Sequence, residues 1–502
     1  MADRFSLVDA AWLHMDEPTN MAVIAGVIMF EKPVDFNVLK ELVRARLLRV
    51  RRFRQRVREP LLSIGIPQWE DDPHFDLDAH LHRIALPAPY DQQTLHELVG
   101  DLMSMPLDFT KPLWQYHLVE NYNGGCALVC RLHHSMADGL VLVQVLLSLA
   151  DNAPPLENSE TALVAANGAN GAHKKRGPFS RAFKLVGAGT KYVAQTVTSR
   201  DRLRDTALLG ASGSLALGKL LFIGPDTHSL FKGKCGVMKR VAWTKALPLS
   251  EVKYVAHALG GTINDTLISA VAGTLRRYLE ARDMDTHDMN LRAIVPVNLR
   301  APGDFDLDSL GNRFGLVFLS LPVGVQDPLL RMAILKDRMD DIKRSPEAVV
   351  AYGILGTIGA TPVAVERVIN TIFGMKATAV MTNVPGPRES IYLAGVRISG
   401  LMFWVPTPAH LGLGVSIISY AGEVIVGINT DSGLIPDPNE ITEAFVDEFN
   451  ALRELAEQRA PRKHHALAAP KQRARKPRTT TKHTSEKPTP RTPRKRAPQT
   501  EA

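Results

Sequence analysis

Two blocks of this chain, residues 1–155 and 236–458, each alternate between patterns typical of β-strands and of α-helices. The first block contains the β-rich run MAVIAGVIMF at 21–30, followed by apolar residues at helical spacing over 36–50. The second contains strand patterns such as LRAIVPVNLR at 291–300. Mixed strands and helices in both blocks indicate the α/β class. Because 502 residues are too many for one compact core, we expect two large domains.

Two segments outside the blocks set the predicted boundaries: 152–178 has no apolar periodicity, and 459–502 has almost no large apolar side chains. Residues 152–178 are rich in Asn, Ala, Gly and Pro, as linkers are. The last segment, 459–502, consists mostly of Pro, Thr, Lys and Arg and cannot bury enough surface to fold. We therefore predict an N-terminal domain at 1–155, a linker or crossover segment at 156–235, a C-terminal domain at 236–458 and a disordered basic tail.

The net positive charge of the chain comes from this tail. The formal net charge is +8. Beyond residue 460 lie 13 lysines and arginines and 2 glutamates, a net charge of +11, which leaves about −3 for the rest of the chain. The folded body is therefore near neutral. The tail has three open interpretations: attraction to an anionic membrane, nucleic-acid binding, or a solubilising role only.

The three cysteines, Cys126, Cys130 and Cys235, argue against a disulfide framework and favour a reducing compartment. Cys126 and Cys130 lie in an apolar strand pattern and are expected to be small core residues rather than metal ligands. The N-terminal sequence lacks the pattern of a signal peptide. Neither block has a glycine loop with Walker or dinucleotide-binding spacing, which argues against a nucleotide-binding fold.

Two uncharged stretches, 348–365 and 398–422, are long enough to consider as membrane spans. Glycines and prolines interrupt both stretches. We therefore expect buried strands and turns in both, rather than a helix that crosses a bilayer.

The motif HHSMADG at 133–139 lies between a strand pattern at 125–134 and a helix pattern at 139–151. Side chains alternate along a strand, so His133 and His134 are expected on opposite faces, and only one of them can serve a given cavity. A neutral imidazole is suited to remove a proton from a hydroxyl near neutral pH. Taken alone, however, such a pair is also compatible with buried structural histidines.

Two residues that end the motif have expected structural roles. Asp138 follows the strand and is placed to fold back onto an arginine and hold the loop. Gly139 is expected to permit close packing.

The motif and its context together resemble the bacterial wax ester synthase/diacylglycerol acyltransferase family, within the CoA-dependent acyltransferase superfamily. HHxxxDG is the active-site motif of that superfamily. Further segments match the family in order along the chain and span most of residues 5–458: PQWEDDPHFDLDAHLHRIALPAP (67–89), PLDFTKPLWQYHLVE (106–120), HHSMADG (133–139), GGTINDTLISAVAGTLRRYL (260–279), VPVNLR (295–300), GNRFG (311–315) and TNVPGPRESIYLAG (382–395).

The resemblance implies a role for several residues. The family's catalytic histidine is the second of the pair, which is His134 here, with His133 beside it. Asp138 becomes a structural residue, and Asn264 and Asp265 are expected near the site. The implied fold has two chloramphenicol-acetyltransferase-like domains, with the channels for acyl-CoA and for the acceptor meeting between them.

The chain departs from the family near its start. A Pro-Met-His-Val-like segment usual in the family reads Asn20-Met21-Ala22-Val23 here. The segment lies near the acceptor side in the family, so the identity of the acceptor alcohol stays open.

The chemistry of ester formation assigns the roles further. A hydroxyl that attacks a thioester must lose its proton as the bond forms, and His134 is the expected base. The tetrahedral oxyanion then needs preorganised donors, worth ~3 kcal/mol each. Asn264 is a candidate for this role, but Asn and Asp also favour the start of a helix, and both interpretations stay open. Ser135 is expected to be a loop hydroxyl.

Eight arginines lie between Arg44 and Arg58. A solvated helix end would explain them. Alternatively, Arg51, Arg52 and Arg54 bind the phosphates of acyl-CoA or an anionic lipid.

These observations predict an acyl-CoA-dependent O-acyltransferase that forms triacylglycerol from diacylglycerol, or wax ester from a long-chain alcohol. Acyl-CoA is a co-substrate, and no cofactor, metal or specific nucleic acid is expected. Membrane attraction of the tail fits lipid substrates better than its other interpretations do. We expect a cytoplasmic protein bound peripherally to the inner membrane face or to lipid droplets. Two alternatives are a condensation-type enzyme with a carrier-protein donor and a non-catalytic lipid-binding relative.

Overall fold

The structure, a computed structural model, describes residues 3–60, 65–151, 222–300, 310–359 and 363–459. The predicted linker at 156–235 lies mostly outside the described residues, and so does the predicted tail at 459–502 except for its first residue. Both of these assignments therefore stay predictions.

In the first half, each element begins where the sequence supplies a cap or a strand-forming run. Aspartates at the N-caps of three helices, Asp35, Asp91 and Asp138, accept hydrogen bonds from backbone N–H groups of the first turn. The elements in chain order are β1 (Asp3–Arg4), α1 (Leu7–His14), β2 (Val23–Phe30), α2 (Phe36–Arg46), β3 (Gln55–Arg58), β4 (Gln68–Asp71), β5 (Leu81–Ala85), α3 (Gln92–Met103), β6 (Trp114–Tyr122), β7 (Gly125–His133) and α4 (Gly139–Leu149).

The second half repeats the mixture of strands and helices. The elements are β8 (Lys239–Trp243), β9 (Leu247–Pro248), α5 (Leu249–Leu259), α6 (Ile263–Glu280), β10 (Leu291–Asn298), β11 (Phe314–Leu321), α7 (Pro328–Arg344), α8 (Glu347–Ile358), α9 (Val363–Met375), β12 (Ala379–Pro385), β13 (Tyr392–Leu393), β14 (Val396–Trp404), β15 (Leu413–Tyr420), β16 (Glu423–Asp431) and α10 (Pro438–Arg459). The predicted hairpin is confirmed, since β15 and β16 are joined at Ala421 and Gly422, both with positive φ.

The strands form two large sheets and one small sheet. One large sheet has the order β13-β14-β2-β7-β6-β5, and the other has the order β11-β10-β12-β15-β16-β8, with β9 added beside β16. The small sheet has the order β1-β4-β3. Each large sheet has its own cluster of buried apolar side chains. The predicted α/β class with two domains is confirmed.

Strand β14 crosses from the second half of the chain into the first sheet. It pairs antiparallel with β2, so that Met402 lies opposite Val27 and Trp404 lies opposite Ala25. The predicted C-terminal domain at 236–458 therefore gives residues 392–404 to the sheet of the N-terminal half. Sequence patterns identify the strand but carry no signal for a partner more than 360 residues away.

The stretch 348–365, expected to contain strands and turns, is helical in its described part. Its residues belong to α8 and the start of α9. One of its glycines serves helix packing: a Cβ at Gly359 would lie 1.8 Å from the backbone oxygen of Leu7, so α1 approaches the end of α8 closely. Among the described residues, no helix has the length and apolar character needed to span a bilayer.

Candidate active site

His134 lies immediately after β7, where the chain leaves the first sheet. Its backbone N–H donates to the carbonyl oxygen of Ala22 at 2.7 Å, which continues the pairing of β7 with the end of β2. Only 4% of His134 is exposed. The catalytic candidate is therefore fixed on a buried strand end, where its backbone has little freedom.

The ring of His134 contacts two aromatic side chains. It stacks on the indole of Trp12, with ring centroids 4.0 Å apart and an interplanar angle of 11°. Phe314 lies on another side, at 5.4 Å between centroids. Burial lowers the pKa of His134 to about 4, against the opposing effects of the Asp138 carboxylate and the carbonyl oxygen of His134 itself. The imidazole is thus neutral at pH 7 and its pKa lies below the range in which a general base works best.

His133 has different surroundings, as the strand alternation predicted. Its Nδ1 and the hydroxyl of Ser135 are 2.8 Å apart, and its Nε2 lies 3.6 Å from an oxygen of Asp16. Its ring meets the edge of Phe109. These contacts tie His133 to the loops before and after it, so a supporting role for His133 stays a prediction.

Asp138 has two structural tasks. It caps α4 by accepting from the N–H of Val141 at 3.1 Å, and its other oxygen forms a buried ion pair with Arg300. The same oxygen accepts from the N–H of Arg313 at 3.1 Å. The ion pair that the sequence suggested is therefore present, and its partner comes from the VPVNLR segment.

Gly139 does not serve close packing, and that expectation is wrong. A Cβ built at this position meets no atom of the described residues within 4 Å. The residue instead borders an apolar cavity, where the missing side chain leaves space.

A hydrogen-bond network joins three distant segments behind His134. The side-chain amide of Asn312 donates to the carbonyl oxygen of His134 and to a carboxylate oxygen of Asp9, both at 2.7 Å. The backbone N–H of Asn312 donates to the same Asp9 oxygen at 3.0 Å. Burial raises the pKa of Asp9. Asp9 and Trp12 carry no local signal in the sequence, whereas Arg300 and Asn312 lie in the matched VPVNLR and GNRFG segments.

Three cavities among the described residues bear on substrate binding. The first, of about 110 Å³, is almost wholly apolar and is lined by Leu132 before the motif, Gly139 at its end and much of α4. The second, of about 70 Å³, is also apolar and is bordered by Trp12, the residue that stacks on His134. The third is larger, about 870 Å³, and shares Gly386 and Pro387 with the first. Apolar walls suit hydrocarbon-chain substrates, and both apolar cavities are lined by residues that adjoin or contact the His134 region.

Asn264 and Asp265 lie at the start of α6. Asp265 forms a capping box with Thr262, in which each side chain accepts from the other's backbone N–H. The helix cap is therefore Thr262 and not Asn264. Asn264 lines the third cavity, and its side-chain oxygen accepts from the amide of Asn383 at 2.7 Å. An oxyanion role for Asn264 stays a prediction.

The arginines proposed to bind acyl-CoA lie beside the small sheet. Arg51 pairs with Asp3 and Asp71, while the Arg52 guanidinium is buried over the ring of Trp69 at 4.1 Å. Burial lowers the pKa of Arg52 to about 10. Arg54 is exposed. Two of the three side chains therefore stabilise the small sheet, and their role in donor binding stays a prediction.

No cluster of three or more His, Cys, Asp or Glu side chains able to hold a metal occurs among the described residues. The cysteines are unpaired; Cys126 and Cys235 are buried, and Cys130 is half-buried and lines the first cavity. Burial raises the pKa of the Cys126 thiol to about 11.

Comparison with known families agrees with this geometry. The profile described as the wax ester synthase/diacylglycerol acyltransferase catalytic domain matches residues 5–267, and the profile of the WS/DGAT C-terminal domain matches 310–453. The chain belongs to the wax ester synthase/diacylglycerol acyltransferase family. The family match covers the motif loop and the network residues on either side of it.

Relatives extend the likeness over most of the chain. The probable diacylglycerol O-acyltransferase tgs1 of Mycobacterium tuberculosis H37Rv is 28% identical over 468 residues, which cover 91% of this chain and 97% of the relative. A second putative diacylglycerol O-acyltransferase of that strain, Rv1760, is 27% identical over 483 residues, 91% of this chain and 90% of the relative.

Solved structures share the fold. The wax ester synthase/diacylglycerol acyltransferase of Marinobacter aquaeolei VT8 superposes with a TM-score of 0.63 at 21% identity, covering 91% of this chain and 100% of that one. The first condensation domain of the calcium-dependent antibiotic synthetase gives a TM-score of 0.57 at 16% identity, covering 92% and 97%. The family fold is thus common to enzymes with different substrates, and the substrate must be argued from the site.

The burial of histidines in this family member predicts its response to acid. His96, His117 and His134 all have a pKa lowered to about 4 by burial. Burial makes these histidines harder to protonate in the folded state than in the unfolded state. The free energy of unfolding therefore keeps its full value above about pH 6.5, the pKa of an unfolded histidine, and falls as the pH drops towards 4. We expect Tm to fall between pH 7 and pH 5.

The acid limb of catalysis is expected below that range. Because His134 stays neutral until about pH 4, kcat/KM should remain level from pH 7 to about pH 5 in protein that circular dichroism shows to be folded. An acid limb centred near pH 6.5 would contradict the buried, neutral state of the ring.

Proposed function

We propose that this protein is an acyl-CoA-dependent O-acyltransferase that forms triacylglycerol from diacylglycerol or wax ester from a long-chain alcohol. One observation carries the proposal: in a chain of the wax ester synthase/diacylglycerol acyltransferase family, a buried, neutral His134 stacks on Trp12, which lines one apolar cavity, while Leu132 and Gly139 on either side of it in the sequence line another. Two apolar cavities lined by neighbours of the base provide for two hydrocarbon chains, one from each substrate.

His134 acts in this mechanism as the general base. It removes the proton of the acceptor hydroxyl while the oxygen attacks the thioester carbon, and the C–S bond then breaks as the tetrahedral intermediate collapses. The proton passes to the departing thiolate, which leaves as free coenzyme A. No acyl-enzyme is needed. Ser135, the nearest hydroxyl in sequence, is buried and engaged with His133, so it is a poor candidate for a nucleophile.

The third cavity is the better candidate for the polar part of the donor. Its lining includes the exposed cations Lys253 and Arg388 and the Asn264–Asn383 pair, and it adjoins the first apolar cavity at Gly386. Phosphates need cationic partners, while the acyl chain needs apolar walls. An adjoining polar and apolar pair of cavities therefore fits an acyl thioester of coenzyme A.

The experiment that tests the proposal uses the purified full-length chain with palmitoyl-CoA and, in parallel, hexadecanol, monoacylglycerol and diacylglycerol. We expect thiol release and ester formation in equal amounts with at least one acceptor, without any carrier protein. No ester from acyl-CoA, with activity restored by an acylated carrier protein, would favour the condensation-type alternative. Inactivity with both donors would favour a non-catalytic lipid-binding protein.

The donor assignment makes a kinetic prediction. Replacing Lys253 and Arg388 with Ala should raise the KM for palmitoyl-CoA by about tenfold, equivalent to one charge-assisted hydrogen bond, with kcat almost unchanged. Contacts far from the reacting carbon bind the ground state and the transition state alike. The matched control is Arg54→Ala, an exposed arginine beside the small sheet. A larger increase in KM from Arg54→Ala would instead indicate that the arginine cluster binds the donor.

Peripheral attachment of the enzyme to a lipid surface belongs to this proposal. The supporting observation is the net charge of +11 beyond residue 460. Each basic residue near an anionic membrane contributes ~1 kcal/mol. A chain ending at residue 460 should keep acyl transfer to a short-chain alcohol and lose salt-sensitive binding to phosphatidylserine liposomes, measured by co-sedimentation. Unchanged liposome binding would remove the membrane role of the tail.

A further inference from the structure

We propose that Asn312 is a positioning residue for His134 and that Asp9 in turn orients Asn312. The inference rests on the proposed function, since it treats His134 as the base. Asn312 lies in the loop before β11, and Asp9 lies in α1. The imidazole would thus be positioned by two segments, one before and one after the motif in the sequence.

The hydrogen bonds leave one orientation for the Asn312 amide. Its nitrogen carries two hydrogens, and one points to the carbonyl oxygen of His134 while the other points to Oδ1 of Asp9, each at 2.7 Å. A carbonyl oxygen and a carboxylate only accept, so the amide cannot flip without losing both bonds. All three residues are at most 4% exposed, which prevents water from replacing a lost partner.

The hydrogen bond from Asn312 to the His134 carbonyl oxygen also affects the position of the imidazole ring. The backbone of His134 is held at both polar atoms, by Ala22 at the N–H and by Asn312 at the oxygen. The imidazole is attached to the Cα between these atoms, so the two hydrogen bonds fix where the side chain starts, and the stacking on Trp12 restricts the orientation of the ring. A misplacement of about 1 Å at a reacting group can lower turnover about 10²-fold.

The cost of burying Asp9 indicates that its position is specific. A buried carboxylate is unfavourable unless donors surround it. Here two donors come from Asn312, its backbone N–H at 3.0 Å and its side chain, and the charge of Arg52 also lowers the pKa of Asp9. A contact that only joined α1 to the loop could be made by apolar side chains at lower cost.

The first test is a double-mutant cycle measured as kcat with palmitoyl-CoA and hexadecanol. Asn312→Ala should lower kcat by about 10- to 100-fold with little change in KM, since the effect lies on the base. In a His134→Ala background the same substitution should cost nothing further, because its action passes through His134. An equal loss in both backgrounds would overturn the proposal. Absence of acyl transfer in the wild type would instead refute the proposed function, and the two failures are therefore distinguishable.

A second test separates positioning from simple stabilisation. Asp9→Asn keeps an oxygen that accepts from Asn312 and should retain kcat within a few-fold, whereas Asp9→Ala should reproduce the loss seen with Asn312→Ala. The exchanged pair Asp9→Asn with Asn312→Asp preserves a bond between the two positions but leaves no donor for the His134 carbonyl.

The exchanged pair decides between the two roles. We expect folded protein by circular dichroism with kcat still reduced at least 10-fold. Recovery of wild-type kcat in the exchanged pair, or a normal kcat for folded Asn312→Ala, would show that the network only stabilises the fold. If Asn312→Ala does not fold, the comparison of Asp9→Asn with Asp9→Ala decides in its place: equal kcat in these two variants overturns the proposal.

Discussion

His134→Ala should lower kcat for ester formation by ~10²–10⁴-fold, the usual contribution of a positioned general base. Without the imidazole, the attacking hydroxyl has no group in place to accept its proton. The measurement is thiol release from palmitoyl-CoA with a saturating long-chain alcohol. Loss of the ring also removes the stacking on Trp12, so Tm is measured alongside, and His134→Gln provides a variant of similar bulk.

The controls for this prediction are two other histidines. His133→Ala should cost less than His134→Ala, because His133 contacts Ser135 and Asp16 rather than the ring stack at Trp12. His228→Ala, an exposed position, should leave kcat unchanged. Wild-type turnover in folded His134→Ala would show that another group removes the proton.

Asp138→Asn should lower the free energy of unfolding by ~3–5 kcal/mol, the cost of leaving one member of a buried ion pair without its partner. The substituted amide still has an oxygen for the N–H of Val141, so the helix cap survives. Arg300, however, keeps its charge in a site where the two side chains are only 6% and 7% exposed. Denaturant unfolding followed by circular dichroism measures the loss.

A surface ion pair supplies the matched control. Arg44→Ala breaks a pair with Glu41 in which both side chains are about half exposed, and it should cost at most ~1 kcal/mol. Asp138→Asn with normal stability and no activity would instead place the Asp138 carboxylate in the chemistry.

Local sequence patterns predicted the strands in which nearly every residue is buried. The strands at 23–30 and 125–133 and the hairpin at 413–431 follow the sequence closely because each is a continuous β-rich run ended by a turn. The helix at 347–358 was missed because its glycines interrupt the helical pattern, although in the structure Gly359 allows α1 to approach. Propensity and packing conflict at such positions, and packing determines the outcome.

The surroundings of His134 were mostly beyond sequence reasoning. The motif and the Asp138 ion pair were indicated, but Trp12 and Asp9 act through contacts with residues about 120 and 300 positions away. Spacing along a chain carries no information on such pairs. The Arg51 and Arg52 side chains were interpreted as ligand contacts because the short strands that supply Asp71 and Trp69 were not predicted.

The ribosome synthesises strand β14 long after β2, the strand with which it pairs in the first sheet. Strands β2 and β7 leave the exit tunnel early, but the partner of β2 at 396–404 follows roughly 260 residues after β7 ends. Until then one edge of β2 exposes unpaired backbone groups, which are prone to associate with other chains. A chain truncated before residue 396 would keep that edge of β2 without its partner.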